Sequence, residues 1–287
     1  MAVISTLLEL WINAHKVLDS YSNLSWDEFT PAALKLDVYL FQEQLSALHI
    51  SAEQYHVHTV LSELLEEHSR KLGALFALKN DAILLRHWNM VERMFGVSFT
   101  RSGGITHVDY QWPLKDVISL DIDAKEESIT LLVAAAEHER AIANRFDKIA
   151  NKWRSEQLHF TSYDDRGLLL LDKSKSRVSL MEIEEHMLEL NKILSNRHAA
   201  QRTKDILRWI NILSCIRDLL ERWLLLQNEW KRLGSVFSIS EIESSMPKEL
   251  KRFNSLNKVW TRIVRSVTVN PNIVNVLYDD DAVRNNI

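Results

Sequence analysis

The chain has 287 residues, 35 Lys and Arg against 39 Asp and Glu, a formal net charge of −4, and only six Gly and four Pro. That length gives ample core for one large domain or two ordinary ones, and so few turn formers among abundant Leu, Glu, Lys, Arg and Ile exclude a sheet-rich fold. The averaged charge shows no basic stripe able to neutralise phosphates, a lone Cys215 excludes disulfide and cysteine-zinc frameworks, and no apolar run is long enough to span a membrane. The start, MAVISTLLEL, lacks the basic region and small-residue cleavage pattern of a signal peptide, so an intracellular, reducing compartment is expected.

In chain order, Ile4, Leu8, Trp11, His15 and Leu18 form a first helical stripe, with His15 read as a core or boundary histidine. Pro31 sits where a helix can start, because its missing N–H is an orphan there in any case. Apolar residues then run from Leu34 to Leu45, and another helix is expected over Ala52 to Leu72. A break falls at Lys79–Asp81, after which Leu84, Trp88, Val91 and Phe95 line a helix ended by Gly96. The segment TRSGGITHVDYQWPLKD reads as an exposed loop with room for a short strand.

From Asp123 to Gln157 one long helix is expected, its seam running through Ile129, Leu132, Ala136, Glu139, Ala143, Phe146, Ala150 and Trp153. LHFTSYDDRGLLLL, residues 158–171, carries two β-prone runs about a turn and reads as a small hairpin. A helix over Ser179 to Arg197 follows. Next comes the longest seam: Ile206, Trp209, Leu213, Ile216, Leu220, Trp223, Gln227 and Trp230 recur at steps of three and four. Only Gln227 breaks its apolarity, and an amide between two tryptophans costs free energy unless its donors and acceptor find partners. A hydrogen bond across a packing seam is therefore expected of it. Ser240-x-x-Glu243 reads as a capping box, Pro247 as an early helix residue, and the seam resumes through Trp260, Val264 and Val267 until Asn270-Pro271. Residues 278–287 read as a flexible tail.

Tests for chemistry are negative. Neither a phosphate-binding G-x-x-x-x-G-K-S/T nor a G-x-G-x-x-G occurs, and the Gly103-Gly104 pair precedes no phosphate-binding helix. His56, His58 and His68, or Glu137-His138-Glu139, point to different faces, and H-E-x-x-H is absent. Asp121-x-Asp123 with Glu126 and Glu127 lacks the central glycine and final glutamate of a calcium loop, and acidic residues belong at a helix start. Asp279-Asp280-Asp281 reads as solvated. No nucleophile has a recognisable base. The expectation is a non-enzyme with no catalytic residue, no cofactor and no metal.

The order Gln227, Trp230, Leu233, Val236-Phe237, Glu241-Ile242, Met246-Pro247, Glu249 and Phe253, with Trp260 beyond, resembles the linker region of dynein heavy chains, N-terminal region 2. Arg86-His87-Trp88 with Gly96 is similar to that family's Arg-His-Trp helix, and Ala136, Glu139, Ile142, Phe146, Ile149 and Trp153 to its long helix. Ala143 stands where a second glutamate is usual, His198 where an aromatic is usual, and Gln201-Arg202 where Pro-Phe is usual, which marks a divergent member.

The resemblance implies an all-α, elongated, arched rod of long antiparallel helices with one hairpin, related to coiled coils in its packing. Residues 1–80 would form a first bundle and 81–287 the core linker helices. It further implies a mechanical element that couples an AAA+ motor ring to movement, with the ring and other dynein subunits as partners, microtubules as an indirect one, and neither nucleic acid nor membrane. Cytoplasm and cytoskeleton are the implied location, and the divergence favours a cilium or flagellum axoneme. The structural signature is Arg86, His87, Trp88, Glu139, Trp153, Trp209, Trp223, Gln227, Trp230, Phe237, Ile242, Pro247, Phe253 and Trp260. Periodicity alone also fits a generic helical scaffold or tether.

Overall fold

A computed structural model describes residues 2–48, 55–98, 114–163, 168–239 and 245–286. The fold is all-α and multi-helical, with one two-stranded antiparallel sheet among the described residues. Two compact units divide at Met1–Arg140 and Ala141–Ile287, each with its own hydrophobic cluster. The loop at 99–113, the hairpin tip at 164–167, and Ile242 with the Ser240–Glu243 capping box lie outside the described residues.

The first unit contains α1 (Ala2–Ser22), α2 (Pro31–Ser46), α3 (His56–Leu78), α4 (Leu85–Phe95), α5 (Leu114–Ile118) and the first half of α6 (Glu126–Ser155), which a 3-10 turn at Asp123–Lys125 introduces. Thr30 is extended and Pro31 is the first helical residue of α2, where a fixed φ and a missing N–H cost nothing. At the end of α4, Gly96 takes φ 68°, and the Val97 N–H returns to the Glu92 carbonyl at 3.0 Å, closing the helix.

The stripe read on α1 is corrected in part: Leu18 is buried and Trp11 packs against the core, but its other members do not. Leu7, Leu10, Ala14 and Leu18 face the core, whereas Ile4 is 38% and Leu8 42% exposed. The helix is apolar on two adjacent stripes, and α2, α3 and α5 all pack on the Leu7 side. His15 is exposed and lies flat against half-buried Trp11, ring centroids 5.1 Å apart, so of a core or boundary histidine it is the boundary one.

The second unit holds the rest of α6, the hairpin β1 (Phe160–Ser162) and β2 (Leu169–Leu171), α7 (Lys173–Leu194), a 3-10 turn at Arg197–Arg202, α8 (Thr203–Phe237), α9 (Pro247–Val269), a π-turn at Asn275–Asp279 and α10 (Asp281–Asn286). In the hairpin Phe160 pairs with Leu171, Thr161 with Leu170 and Ser162 with Leu169. Helix α7 starts six residues before the expected Ser179, because the Asp172 carboxylate accepts from the backbone N–H groups of Ser174 and Lys175 at 2.9 and 3.0 Å and so caps it. It packs lengthwise on α8.

Beyond α9 the chain is tied back to the end of α6. Leu158 N–H donates to the Pro271 carbonyl at 2.7 Å, Ile273 N–H to Glu156 at 3.0 Å, and the Asn272 amide to Arg154 at 2.7 Å. The last described residues are not a free tail: Leu277 and Val283 are buried in the second cluster, which holds the π-turn and α10 in place.

Candidate functional site

The most specific geometry lies where α8 meets the hairpin. Gln227 is 5% exposed, and its side-chain amide faces the backbone of Leu171, 56 residues earlier. Leu171 N–H donates to Gln227 Oε1 at 2.9 Å, and Gln227 Nε2 donates to the Leu171 carbonyl at 2.9 Å. Leu171 spends none of this hydrogen-bonding capacity on its partner strand, because its opposite, Phe160, is a non-bonded pair flanked by the Asp172-to-His159 and Thr161–Leu170 pairings. The glutamine thus does what a third strand would do on the outer edge of β2. It satisfies two buried backbone groups and joins the hairpin to α8 in one register.

Around that clamp the tryptophans form a ladder. Trp223 is fully buried, with Phe160 edge-on at 6.4 Å and Trp260 edge-on at 6.0 Å. Trp260 in turn stacks on Trp230 at 5.9 Å and 17°. Trp230 is only half-buried: Tyr163 meets it edge-on at 5.6 Å, and its indole N–H donates to Asn257 Oδ1 at 3.2 Å. About two turns further out Phe237 stacks on Phe253 at 5.2 Å, both half-buried, and Pro247 is the exposed first residue of α9. These contacts draw α8, the hairpin and α9 together. Trp209 stands apart from the ladder, 6% exposed beneath the Arg154 guanidinium at 5.3 Å.

Trp153, near the end of α6, is completely buried and donates its indole N–H to His186 Nδ1 on α7 at 3.2 Å. An acceptor Nδ1 must be unprotonated, so the fold selects neutral His186. Burial, helped by the Lys152 ammonium, lowers its pKa against the opposing pull of Glu182, Glu185 and Glu189. Lys152 itself pairs with Glu182.

The first unit carries a second polar knot. Arg86 donates from Nε to Glu139 Oε2 at 3.2 Å and from Nη2 to the same oxygen. His87, 3% exposed, accepts the Leu84 N–H on Nδ1 at 3.0 Å, which leaves Nε2 to donate to Glu139 Oε2 at 3.3 Å. Desolvation, with the adjacent Arg86 cation, lowers the His87 pKa despite Glu139. One histidine therefore caps the first turn of α4 and pins that turn to α6. Trp88 beneath it is 1% exposed and meets Trp26 edge-on at 5.0 Å.

The fourteen signature residues do not converge on one site. Arg86, His87, Trp88 and Glu139 form one knot; Trp223, Gln227, Trp230 and Trp260 form another; Trp153 and Trp209 brace α6 separately. Sequence reasoning missed Trp26, Leu171, His186 and Asn257. A polar group in an otherwise apolar seam is the signal that could have raised His186, whereas nothing local marks Leu171 as the partner of a glutamine. Among the described residues no three His, Cys, Asp or Glu side chains are placed to hold a metal, and no helix is long and apolar enough to cross a membrane. An open cleft of about 300 Å³ beside Trp230, lined also by Tyr163, Gly234, Asn257 and Thr261, contains no nucleophile–base pair.

The family described as "Dynein heavy chain, N-terminal region 2" matches residues 2–287. Among similar curated proteins, "Dynein axonemal heavy chain 8" of Homo sapiens is 24% identical over 279 residues, which is 97% of this chain and 6% of that protein. "Dynein axonemal heavy chain 5" of Rattus norvegicus is 25% identical over 97% of this chain and 8% of its own length. "Dynein gamma chain, flagellar outer arm" of Chlamydomonas reinhardtii is 21% identical over 99% of this chain and 6% of its length. The chain thus spans less than a tenth of each of these relatives.

Proposed function

This chain belongs to the dynein heavy chain family, in its N-terminal region 2, and from that premise we propose that it is a non-catalytic mechanical linker of a microtubule motor. It would couple ATP-driven changes in an AAA+ ring, whose nucleotide-binding motifs this sequence does not contain, to movement. The match along residues 2–287 is the observation that carries this reading. The internal joints support it physically. An element that transmits force must resist bending, and a 35-residue α8 fixed by a buried amide clamp and a tryptophan ladder meets that need within its unit. Axonemal and flagellar names among the relatives support a place in the axoneme, in a dynein complex.

The test is binding of the purified chain to an isolated dynein motor ring lacking its own linker, held in its ATP-analogue, ADP and nucleotide-free states. The expected result is binding that differs between states, with no ATP turnover by the chain alone. Equal or absent binding in all three states would leave a helical scaffold or tether as the better reading, and turnover by the isolated chain would overturn the non-catalytic assignment.

A further inference from the structure

The averaged net charge conceals one strongly basic element. Helix α9 carries Lys248, Lys251, Arg252, Lys258, Arg262 and Arg265 against a single carboxylate, Glu249. At 100° per residue these six cations fall on one arc, opposite the buried Trp260, Val264 and Val267. All six are exposed, and none makes an ion pair among the described residues. The arc otherwise holds only Ser255, Ser266, Val259 and Val269, the two valines 40% and 86% exposed. The expectation of no basic stripe able to neutralise phosphates is read from the averaged charge, and that average conceals the clustering of cations on this face.

Six cations along about 25 Å of one helix repel one another, and among the described residues no carboxylate offsets that repulsion by an ion pair. We infer that the outer face of α9 is a docking surface for an acidic polypeptide segment of another protein, one that presents carboxylates at helical spacing along its length. Charge complementarity selects the occupant, and the dimensions narrow it further. A duplex or a lipid surface extends far beyond a helix-wide stripe and would meet the acidic excess that the rest of a net −4 chain carries. A bilayer would also need an apolar helix face to insert, and that of α9 is buried in its own unit. A narrow acidic segment touches the stripe alone, and Val259 and Val269 offer it apolar contact between the charges. This inference does not depend on the motor assignment.

The experiment titrates the purified chain with a labelled helical peptide whose glutamates repeat at steps of three and four, followed by anisotropy at low and raised salt. Duplex DNA and phosphatidylserine vesicles serve as the comparison polyanions. Expected are binding of the peptide ahead of both comparators, weakening as salt shortens the screening length, and a loss of about tenfold in Kd or more for the combined Lys258→Glu, Arg262→Glu, Arg265→Glu variant. Because those residues are exposed, circular dichroism should match the parent; should the reversal variant misfold, Lys258→Gln with Arg262→Gln gives the same readout at smaller amplitude. Peptide binding unchanged in the variants, stronger binding of DNA or vesicles, or no binding of any probe would overturn the proposal.

Discussion

Gln227 is held by two backbone groups that have no other partner among the described residues, so its contribution can be isolated by keeping volume and removing polarity. In Gln227→Met the thioether fills a similar space, but the Leu171 N–H and carbonyl remain buried and lose both hydrogen bonds. An unsatisfied buried group costs about 1–3 kcal/mol, so a loss of about 2–5 kcal/mol is expected. Urea unfolding measures it, and a change within about 0.5 kcal/mol, the range of an inconsequential surface substitution, would mean that water replaces the amide and the clamp is not structural. The sequence made the glutamine conspicuous, since a lone amide between two tryptophans demands partners. It did not reveal Leu171, because backbone groups carry no sequence signal and this one lies 56 residues away. His87 was legible as part of a motif, but its capping of Leu84 and its tautomer depend on where Glu139 stands in space.

Periodicity reads helices well and faces less well. It located α4 and α6 to within a few residues and found the seams of α8 and α9, because each has a wide apolar face, with Gly96 ending α4 and Pro247 starting α9. On α1 it chose a stripe of which Leu18 and Trp11 meet the core and Ile4 and Leu8 do not, since two adjacent stripes are apolar and only tertiary packing decides between them. The same limit applies to the α8 seam: eight positions share one periodicity, yet burial falls off along it, from a fully buried Trp223 to a half-buried Trp230. The two tryptophans should therefore differ. Trp223→Ala removes a whole indole from a closed core and should cost about 3–5 kcal/mol. Trp230→Ala forfeits the Trp260 stack and the Asn257 hydrogen bond at a site that water can refill, and should cost about 1–3 kcal/mol. Denaturant midpoints of the two variants give the order directly; equal losses, or a larger loss for Trp230, would show that the outer end of the ladder is as closed as the inner one.

At the scale of the molecule, averaged quantities hid what mattered most. A net charge of −4 gave no warning of the basic face of α9, because acidic residues elsewhere cancel it. Nor does helical periodicity show that buried residues sort into two clusters, one ending at Ala136 and the other beginning at Ile142, since α6 runs through both without a break in its pattern. Two clusters with no shared member should respond separately to damage. Trp88→Ala empties part of the first and Trp223→Ala part of the second, so their stability losses should add within about 0.5 kcal/mol in the double variant. Hydrogen exchange separates the units more sharply. Trp223→Ala should accelerate exchange in α7, α8 and α9 while α2 and α3 keep the parent's protection, and Trp88→Ala should do the reverse. Uniform acceleration by either substitution would mean that α6 makes the two cores unfold as one, and the chain would then act as a single cooperative body rather than as two.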